Sequence, residues 1–169
     1  IVIIGGGDVG CEAAHFCTYE HEKNVAVVEM LPHFMKNTVT ANRGQLIHAL
    51  GKKGVALLNC ARAVRITGDS VIIARNMSPT VPDPYVTWAP VLPDNVHNPL
   101  KKKIKIDERE TALRADLVVV AVGSAPDDAL YEECVRVRAA AEIHNIGDSF
   151  QPGRIFEAVR SGFALGRGL

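Results

Sequence analysis

The first ten residues, IVIIGGGDVG, constrain the fold most strongly, because they place a glycine-rich loop directly after an apolar run. Ile1–Ile4 is a short run of branched apolar residues, typical of a strand buried on both faces of a parallel sheet. Small and apolar residues then recur at helical spacing from Val9 to about Tyr19, and a second apolar run, Val25–Val28, ends at Glu29. A strand, a loop, a helix and a strand within about thirty residues predict a βαβ unit.

The glycines of this loop follow the spacing Gly5-x-Gly7-x-x-Gly10, which is that of dinucleotide-binding loops. The first glycine permits the tight turn, the second lets the backbone approach a pyrophosphate, and the third lets helix and strand pack closely. A helix that begins near Val9 directs free N–H groups and the positive end of its dipole at the phosphates. The loop, the strand before it and the helix after it together predict a nucleotide site.

An acidic residue, Glu29, ends the second predicted strand nineteen residues after Gly10. A carboxylate at this position can accept hydrogen bonds from the ribose hydroxyls of an adenosine. It would repel a 2′-phosphate, and no Arg or Lys follows before Lys36 to neutralise one. The sequence therefore predicts NADH rather than NADPH, with an ordinary solvated strand end as the alternative for Glu29.

A second carboxylate, that of Asp8, lies inside the loop itself. If it faced the pyrophosphate directly, the repulsion would amount to a few kcal/mol at low effective dielectric. Its side chain is therefore expected to cap the helix by accepting from a backbone N–H. The alternative is that it points to the ribose on the nicotinamide side or to solvent.

The rest of the chain predicts an α/β fold, a Rossmann-like parallel sheet with a small antiparallel β-meander. Helical patterns run from Ala41 to about Lys53 and from Pro152 to Gly166. Six prolines in residues 78–100 disfavour a central strand or helix there, and an ordered excursion held by the aromatic residues Tyr85 and Trp88 is predicted, with disorder as the alternative. Short strands are predicted at Val55–Leu58, Ala63–Ile66, Val71–Ala74, Lys103–Ile106, Leu117–Val122 and Ile143–Ile146.

Charge and apolar content exclude several classes of partner. The 19 basic residues balance the 19 acidic ones, so no net field attracts nucleic acid or an anionic membrane surface. The basic cluster at residues 101–105 is interpreted as the solvated face of an exposed strand, with a phosphate-binding patch as the alternative. No apolar run approaches the roughly 20 residues that span a bilayer. Four cysteines without C-x-x-C or metal-ligand spacing indicate reduced thiols, and with them a cytoplasmic protein.

Three stretches of the chain resemble a known family: VIIGGGDVGCEAA with VAVVEM, ADLVVVAVGSAPDDALYE, and IHNIGDSFQPGRIFEAVRSGFALG. They resemble the second nucleotide-binding region of flavin oxidoreductases that join an old-yellow-enzyme-like barrel to a glutathione-reductase-like pair of domains. These include the 2-enoate reductases, the 2,4-dienoyl-CoA reductases and trimethylamine dehydrogenase. The proline-rich segment is most similar to the 2-enoate reductase branch.

The resemblance implies which residues hold cofactors. The first stretch binds NAD(P)H in such proteins, and the middle stretch lies beside the same nucleotide where the chain leaves the domain. Asp148, after its glycine, resembles the acid that contacts the ribityl or ribose part of FAD in the neighbouring domain. No catalytic residue and no metal ligand is assigned. The candidate cofactor-binding residues are Gly5, Gly7, Asp8, Val9, Gly10, Glu29, Val122, Gly123, Gly147 and Asp148.

The resemblance also implies a longer parent enzyme, with a barrel carrying FMN and a 4Fe–4S cluster and the first half of the FAD domain upstream of this chain. Residues 1–126 would be the NADH-binding domain, and residues 127–169 a linker and a C-terminal strand and helix of the FAD-binding domain. NADH would donate a hydride to FAD, and the parent would reduce the C=C bond of 2-enoates or related activated alkenes. The isolated piece is expected to be inactive. The alternatives are a stand-alone NAD-sensing module and a part of a pyridine-nucleotide disulfide reductase.

The last predicted helix presents an apolar stripe, because Ile155, Val159 and Phe163 recur every four residues. In the parent this stripe would pack against the FAD domain. In this chain alone we expect it to fold back over the sheet or to pair with a second copy, and a homodimer is favoured.

Overall fold

The computed structural model describes residues 1–36, 38, 40–87, 96 and 103–168. By compactness the chain separates into two units, Ile1–Val122 and Gly123–Leu169. In chain order the described elements of the first unit are β1 (Val2–Ile4), α1 (Asp8–Tyr19), β2 (Ala26–Val28), α2 (Thr40–Lys52), β3 (Ala56–Leu58), β4 (Ala61–Ile66), β5 (Ser70–Asn76), β6 (Glu108–Arg114) and β7 (Val118–Val120).

The described strands of this unit form two sheets. A parallel sheet has the strand order β3-β2-β1-β7, and an antiparallel sheet has the order β4-β5-β6. In the parallel sheet, β1 pairs with β2 and β7, and β2 pairs with β3, all in parallel register. The predicted α/β fold class, a Rossmann-like parallel sheet with an antiparallel meander, is confirmed.

Both faces of the parallel sheet are covered, which explains the continuous apolar run of β1. Ile3 and Val27 belong to a buried cluster with residues of α1 and α2, while Val2 and Val28 pack with Val71 and other residues of the antiparallel sheet. Successive side chains of a strand point to opposite faces. Consecutive residues of β1 and β2 are therefore buried in two different clusters.

The proline-rich segment covers the outer edge of β3 through Tyr85. Its hydroxyl donates a hydrogen bond to the Val55 carbonyl (2.7 Å) and accepts one from the Leu57 N–H (3.1 Å). These two bonds replace those of a further strand, which protects an edge that could otherwise pair with another chain. The prediction that Tyr85 pins this segment is confirmed, whereas Trp88 lies outside the described residues.

Two predicted strands are wrong. Residues 103–106 are not in a strand, and the chain instead pairs at β6, where Glu108–Arg114 is antiparallel to the whole of β5. Lys105 instead bonds through its backbone to the side chains of Asn76 and Thr80. Residues 143–146 also form no strand, since the described part of the second unit contains none for them to pair with. Alternating polarity is not sufficient, because a strand needs a hydrogen-bonded neighbour.

The second unit contains α3 (Ala129–Val137), a 3₁₀ turn (Gly147–Ser149) and α4 (Ile155–Gly168). No pattern in the sequence predicted α3. The last helix begins three residues later than predicted, because the Glu157 carboxylate accepts the Arg154 N–H (3.0 Å) and so caps the first turn. The apolar stripe of Ile155, Val159 and Phe163 is exposed. Among the described helices, none is long and apolar enough to cross a membrane.

Candidate functional site

The glycine loop connects the end of β1 to the start of α1, and its first and third glycines are required by close approaches of the backbone. Gly5 has a φ of 108°, and its N–H donates to the Val28 carbonyl (2.8 Å). A Cβ at Gly5 would overlap the Ala121 carbonyl, and a Cβ at Gly10 would overlap the Gly5 carbonyl oxygen. These two glycines therefore let β1, the end of β7 and α1 meet at one point.

The second glycine, Gly7, is the N-cap of α1 and faces open space. A Cβ at this position would meet no atom within 4 Å. The free N–H groups of the 12-residue helix begin there, with Val9 largely exposed in the same turn. Open space at the positive end of a helix fits a phosphate group.

Asp8 occupies the first helical position, so the prediction that it caps the helix is wrong. Gly7 is the cap, and it makes no side-chain capping bond. The Asp8 carboxylate accepts a hydrogen bond from the Thr38 hydroxyl, thirty residues further along the chain. It thus links the start of α1 to the segment that follows β2. A contact with the ribose stays a prediction.

Glu29 is buried at the end of β2, with 8% of its surface exposed, so the alternative of a solvated strand end does not fit. Its Oε2 accepts the N–H of Gly6 (2.6 Å), and its Oε1 accepts the N–H of Leu31 (2.7 Å). A carboxylate offers about four acceptor positions. After these two bonds, each oxygen keeps a lone pair for a further donor.

Residues 30–36, which we call the strap, hold Gly6, the middle residue of the three consecutive glycines. The Met35 N–H donates to the Gly6 carbonyl (2.8 Å), and the Phe34 ring fills the space where a Gly6 Cβ would stand. Arg43 of α2 donates from Nε to the Phe34 carbonyl (2.9 Å). Asn59 donates from Nδ2 to the carbonyls of Pro32 and Pro82, both at 2.8 Å. This arrangement was not predicted from the sequence, although a third glycine, Gly6, between Gly5 and Gly7 was a signal of it.

A buried thiol also contacts the loop. Cys11 donates to the Gly6 carbonyl with an Sγ–O distance of 3.6 Å. Burial raises the pKa of Cys11 to about 12, and the carboxylates of Asp8 and Glu29 add to the rise. The thiol therefore stays protonated near neutral pH and remains a hydrogen-bond donor to the loop.

The remaining candidate residues follow β7 or lie in the second unit. The Val122 nitrogen lies 3.2 Å from the position of a Gly5 Cβ, so the structure places Val122 beside the glycine loop. Gly123 and Gly147 both have positive φ, 102° and 69°. Asp148 accepts the N–H of Gly153 (3.2 Å). No group of three or more potential metal ligands occurs among the described residues.

Comparison with known proteins places these features in a family. The sequence profile of the pyridine nucleotide-disulphide oxidoreductases matches residues 1–145. An NADH oxidase of Thermoanaerobacter brockii is 26% identical over 165 residues, which cover 98% of this chain and 20% of that protein.

Two solved structures share the fold. One is a 2-naphthoyl-CoA reductase in complex with 2-naphthoyl-CoA, with a TM-score of 0.73 and 23% identity over 99% of this chain and 21% of that one. The other is histamine dehydrogenase from Rhizobium sp. 4-9, with a TM-score of 0.70 and 16% identity over 99% and 22%. The chain thus spans about a fifth of the length of these proteins. The match over residues 1–145 shows that the chain belongs to the pyridine nucleotide-disulphide oxidoreductase family.

Proposed function

We propose that this chain is the NADH-binding part of a flavin oxidoreductase and holds the nicotinamide for hydride transfer to FAD. The observation that carries the proposal is the buried carboxylate of Glu29, which is bonded to Gly6 of the glycine loop beside the start of α1. Membership of a family of pyridine-nucleotide oxidoreductases supports it. FAD, when bound, would supply the hydride acceptor, and the role of this chain would be to bind and orient the nucleotide.

The diphosphate of NADH would lie in the open space at Gly7, where the first N–H groups of α1 can donate to its oxygens. This side of the loop carries no Cβ that would keep the phosphates away. The exposed Val9 and Val122 flank the loop as apolar neighbours of the nucleotide.

The adenosine ribose would bind at Glu29. Each of its oxygens already accepts one backbone N–H and can accept one ribose hydroxyl in addition. A 2′-phosphate would bring negative charge against this buried carboxylate, where Coulomb repulsion is screened less than in water. NADH is therefore favoured over NADPH.

Calorimetric titration of the full chain with NADH and NADPH tests this function. We expect NADH to bind at least about tenfold more tightly, which corresponds to about 1.4 kcal/mol. Equal affinities, or tighter binding of NADPH, would contradict the role given to Glu29. An absence of binding by either nucleotide would contradict the function as a whole.

For the whole protein, we propose a parent that reduces the C=C bond of 2-enoates or related activated alkenes, with FMN and a 4Fe–4S cluster in other domains. The resemblance of the three sequence stretches supports this, and Gly147, Asp148 and the rest of residues 127–169 would belong to its FAD-binding domain. A part of a pyridine-nucleotide disulfide reductase is the second candidate, which the family description favours. A redox-active cysteine pair in the full-length protein would support that second candidate.

We also propose that the chain by itself forms a homodimer through the exposed stripe of Ile155, Val159 and Phe163 on α4. Burial of each large apolar side chain stabilises by about 1.5–3 kcal/mol, so covering the stripe is favourable. Light scattering is expected to give a dimer for the unchanged chain and a monomer for the double variant Ile155→Asp/Phe163→Asp. A monomeric unchanged chain would refute the dimer.

A further inference from the structure

The guanidinium of Arg43, in the first turn of α2, is a positive charge that is almost completely buried. The residue is 2% exposed, and arginines are rarely buried to this extent without a partner. Within the described part of the chain, no carboxylate forms an ion pair with it. Its hydrogen bond from Nε goes to a neutral backbone carbonyl, that of Phe34. The charge is therefore retained at a cost in desolvation, which lowers the pKa of Arg43.

Arg43 is connected to the glycine loop by two short links. It holds the Phe34 carbonyl at 2.9 Å, and the next residue, Met35, donates its N–H to the Gly6 carbonyl at 2.8 Å. The Phe34 ring lies against Gly6 in the place of a missing Cβ. A shift of the Phe34 backbone would thus move Gly6, whose N–H donates to the Glu29 carboxylate.

The charge of Arg43 also acts on a group that contacts the loop. It acts electrostatically on the Cys11 thiol, where it opposes the rise in the pKa of that group. The Cys11 sulfur in turn lies 3.6 Å from the Gly6 carbonyl oxygen. An anion at the start of α1 would be attracted by the helix dipole and by the charge of Arg43, which offset part of the repulsion from the carboxylates of Asp8 and Glu29. Water screens such a buried charge less than an exposed one.

We propose that Arg43 is a positioning residue for the dinucleotide. It holds the strap against Gly6, and it provides a buried positive charge complementary to the diphosphate. This inference rests on the proposed binding of NADH. According to this inference, the unpaired charge of Arg43 serves to bind the ligand and not to stabilise the fold.

The test compares Arg43→Met and Arg43→Lys with the unchanged full chain, at a temperature well below each melting point. Arg43→Met removes the donor and the charge, and we expect NADH affinity to fall by about tenfold or more. Amide hydrogen exchange in residues 5–11 and 30–36, without nucleotide, should become faster. Arg43→Lys keeps the charge and is expected to recover part of the affinity.

Ile73→Ala is the matched control, because Ile73 is buried in the antiparallel sheet and belongs to a different apolar cluster from the loop. It should lower the melting temperature and leave NADH affinity unchanged. If Arg43→Met behaves in the same way, Arg43 has only a structural role and the inference is overturned. Amide hydrogen exchange in the loop measures the connection between Arg43 and Gly6 in the absence of nucleotide. If exchange in Arg43→Met is the same as in the unchanged chain, this inference is overturned even where NADH binds. An absence of NADH binding to the unchanged chain overturns the proposed function instead.

Discussion

Replacement of Gly10 by alanine is expected to destabilise the first unit by about 3 kcal/mol and to abolish NADH binding. The added methyl group would occupy the position of the Gly5 carbonyl oxygen, which is backbone and cannot rotate away. Separation of α1 from β1 would displace Gly5, Gly7 and the first N–H groups of the helix together. Chemical denaturation and calorimetric titration of the variant measure the two effects.

Two other glycines provide controls for this prediction. Gly44 lies inside α2, and its Cβ would be 3.7 Å from the nearest atom, so Gly44→Ala should stabilise by about 0.5–1 kcal/mol. Gly7→Ala should destabilise only moderately, by about 0.5–1 kcal/mol, because alanine is a poorer N-cap than glycine although no atom lies within 4 Å of its Cβ. It should also weaken NADH binding by occupying the phosphate space. A Gly7→Ala variant with full affinity would argue against a diphosphate at this position.

Substitution of Glu29 is expected to have the second large effect on stability and nucleotide binding. Glu29→Ala would leave the N–H groups of Gly6 and Leu31 without their acceptor, at a cost of about 1–3 kcal/mol each. Glu29→Gln has nearly the same shape and keeps one acceptor oxygen but no charge. We expect it to fold, to bind NADH more weakly and to lose most of the discrimination against NADPH.

The measurements are denaturation of both variants and titration of Glu29→Gln with each nucleotide. Glu110→Gln is the matched control, because it removes the same charge from an exposed position on β6. It should change neither stability nor nucleotide preference. If Glu29→Gln prefers NADH as strongly as the unchanged chain does, the carboxylate only holds the loop and another group selects the nucleotide.

Local patterns in the sequence predicted the part of the fold that carries the candidate site. The apolar runs of β1 and β2, the glycine spacing and the position of Glu29 depend on short-range periodicity and on backbone sterics. These act within a few residues, so the amino-acid order alone was enough to assign Gly5, Gly10 and Glu29 their places in a βαβ unit. Their contacts with NADH stay predictions.

Tertiary hydrogen-bond partners determined which of the locally possible structures formed. Residues 103–106 and 143–146 have the polarity or apolar content of strands, but only Glu108–Arg114 finds a neighbour, because β5 presents its free edge there. Asp8 has the side chain of a helix cap, but the Thr38 hydroxyl donates to its carboxylate. In each case the local preference is weak compared with a hydrogen bond made in the folded chain.

The sequence by itself determined the βαβ unit, the glycine loop and the acidic residue at the end of β2. Only the tertiary structure placed Phe34 and Arg43 behind Gly6, since they come from a loop and a helix 28 and 37 residues further along the chain. No periodicity connects residues so far apart. Their contact arises because burial of the Phe34 ring brings the strap against Gly6, where a side chain would occupy the place of the ring.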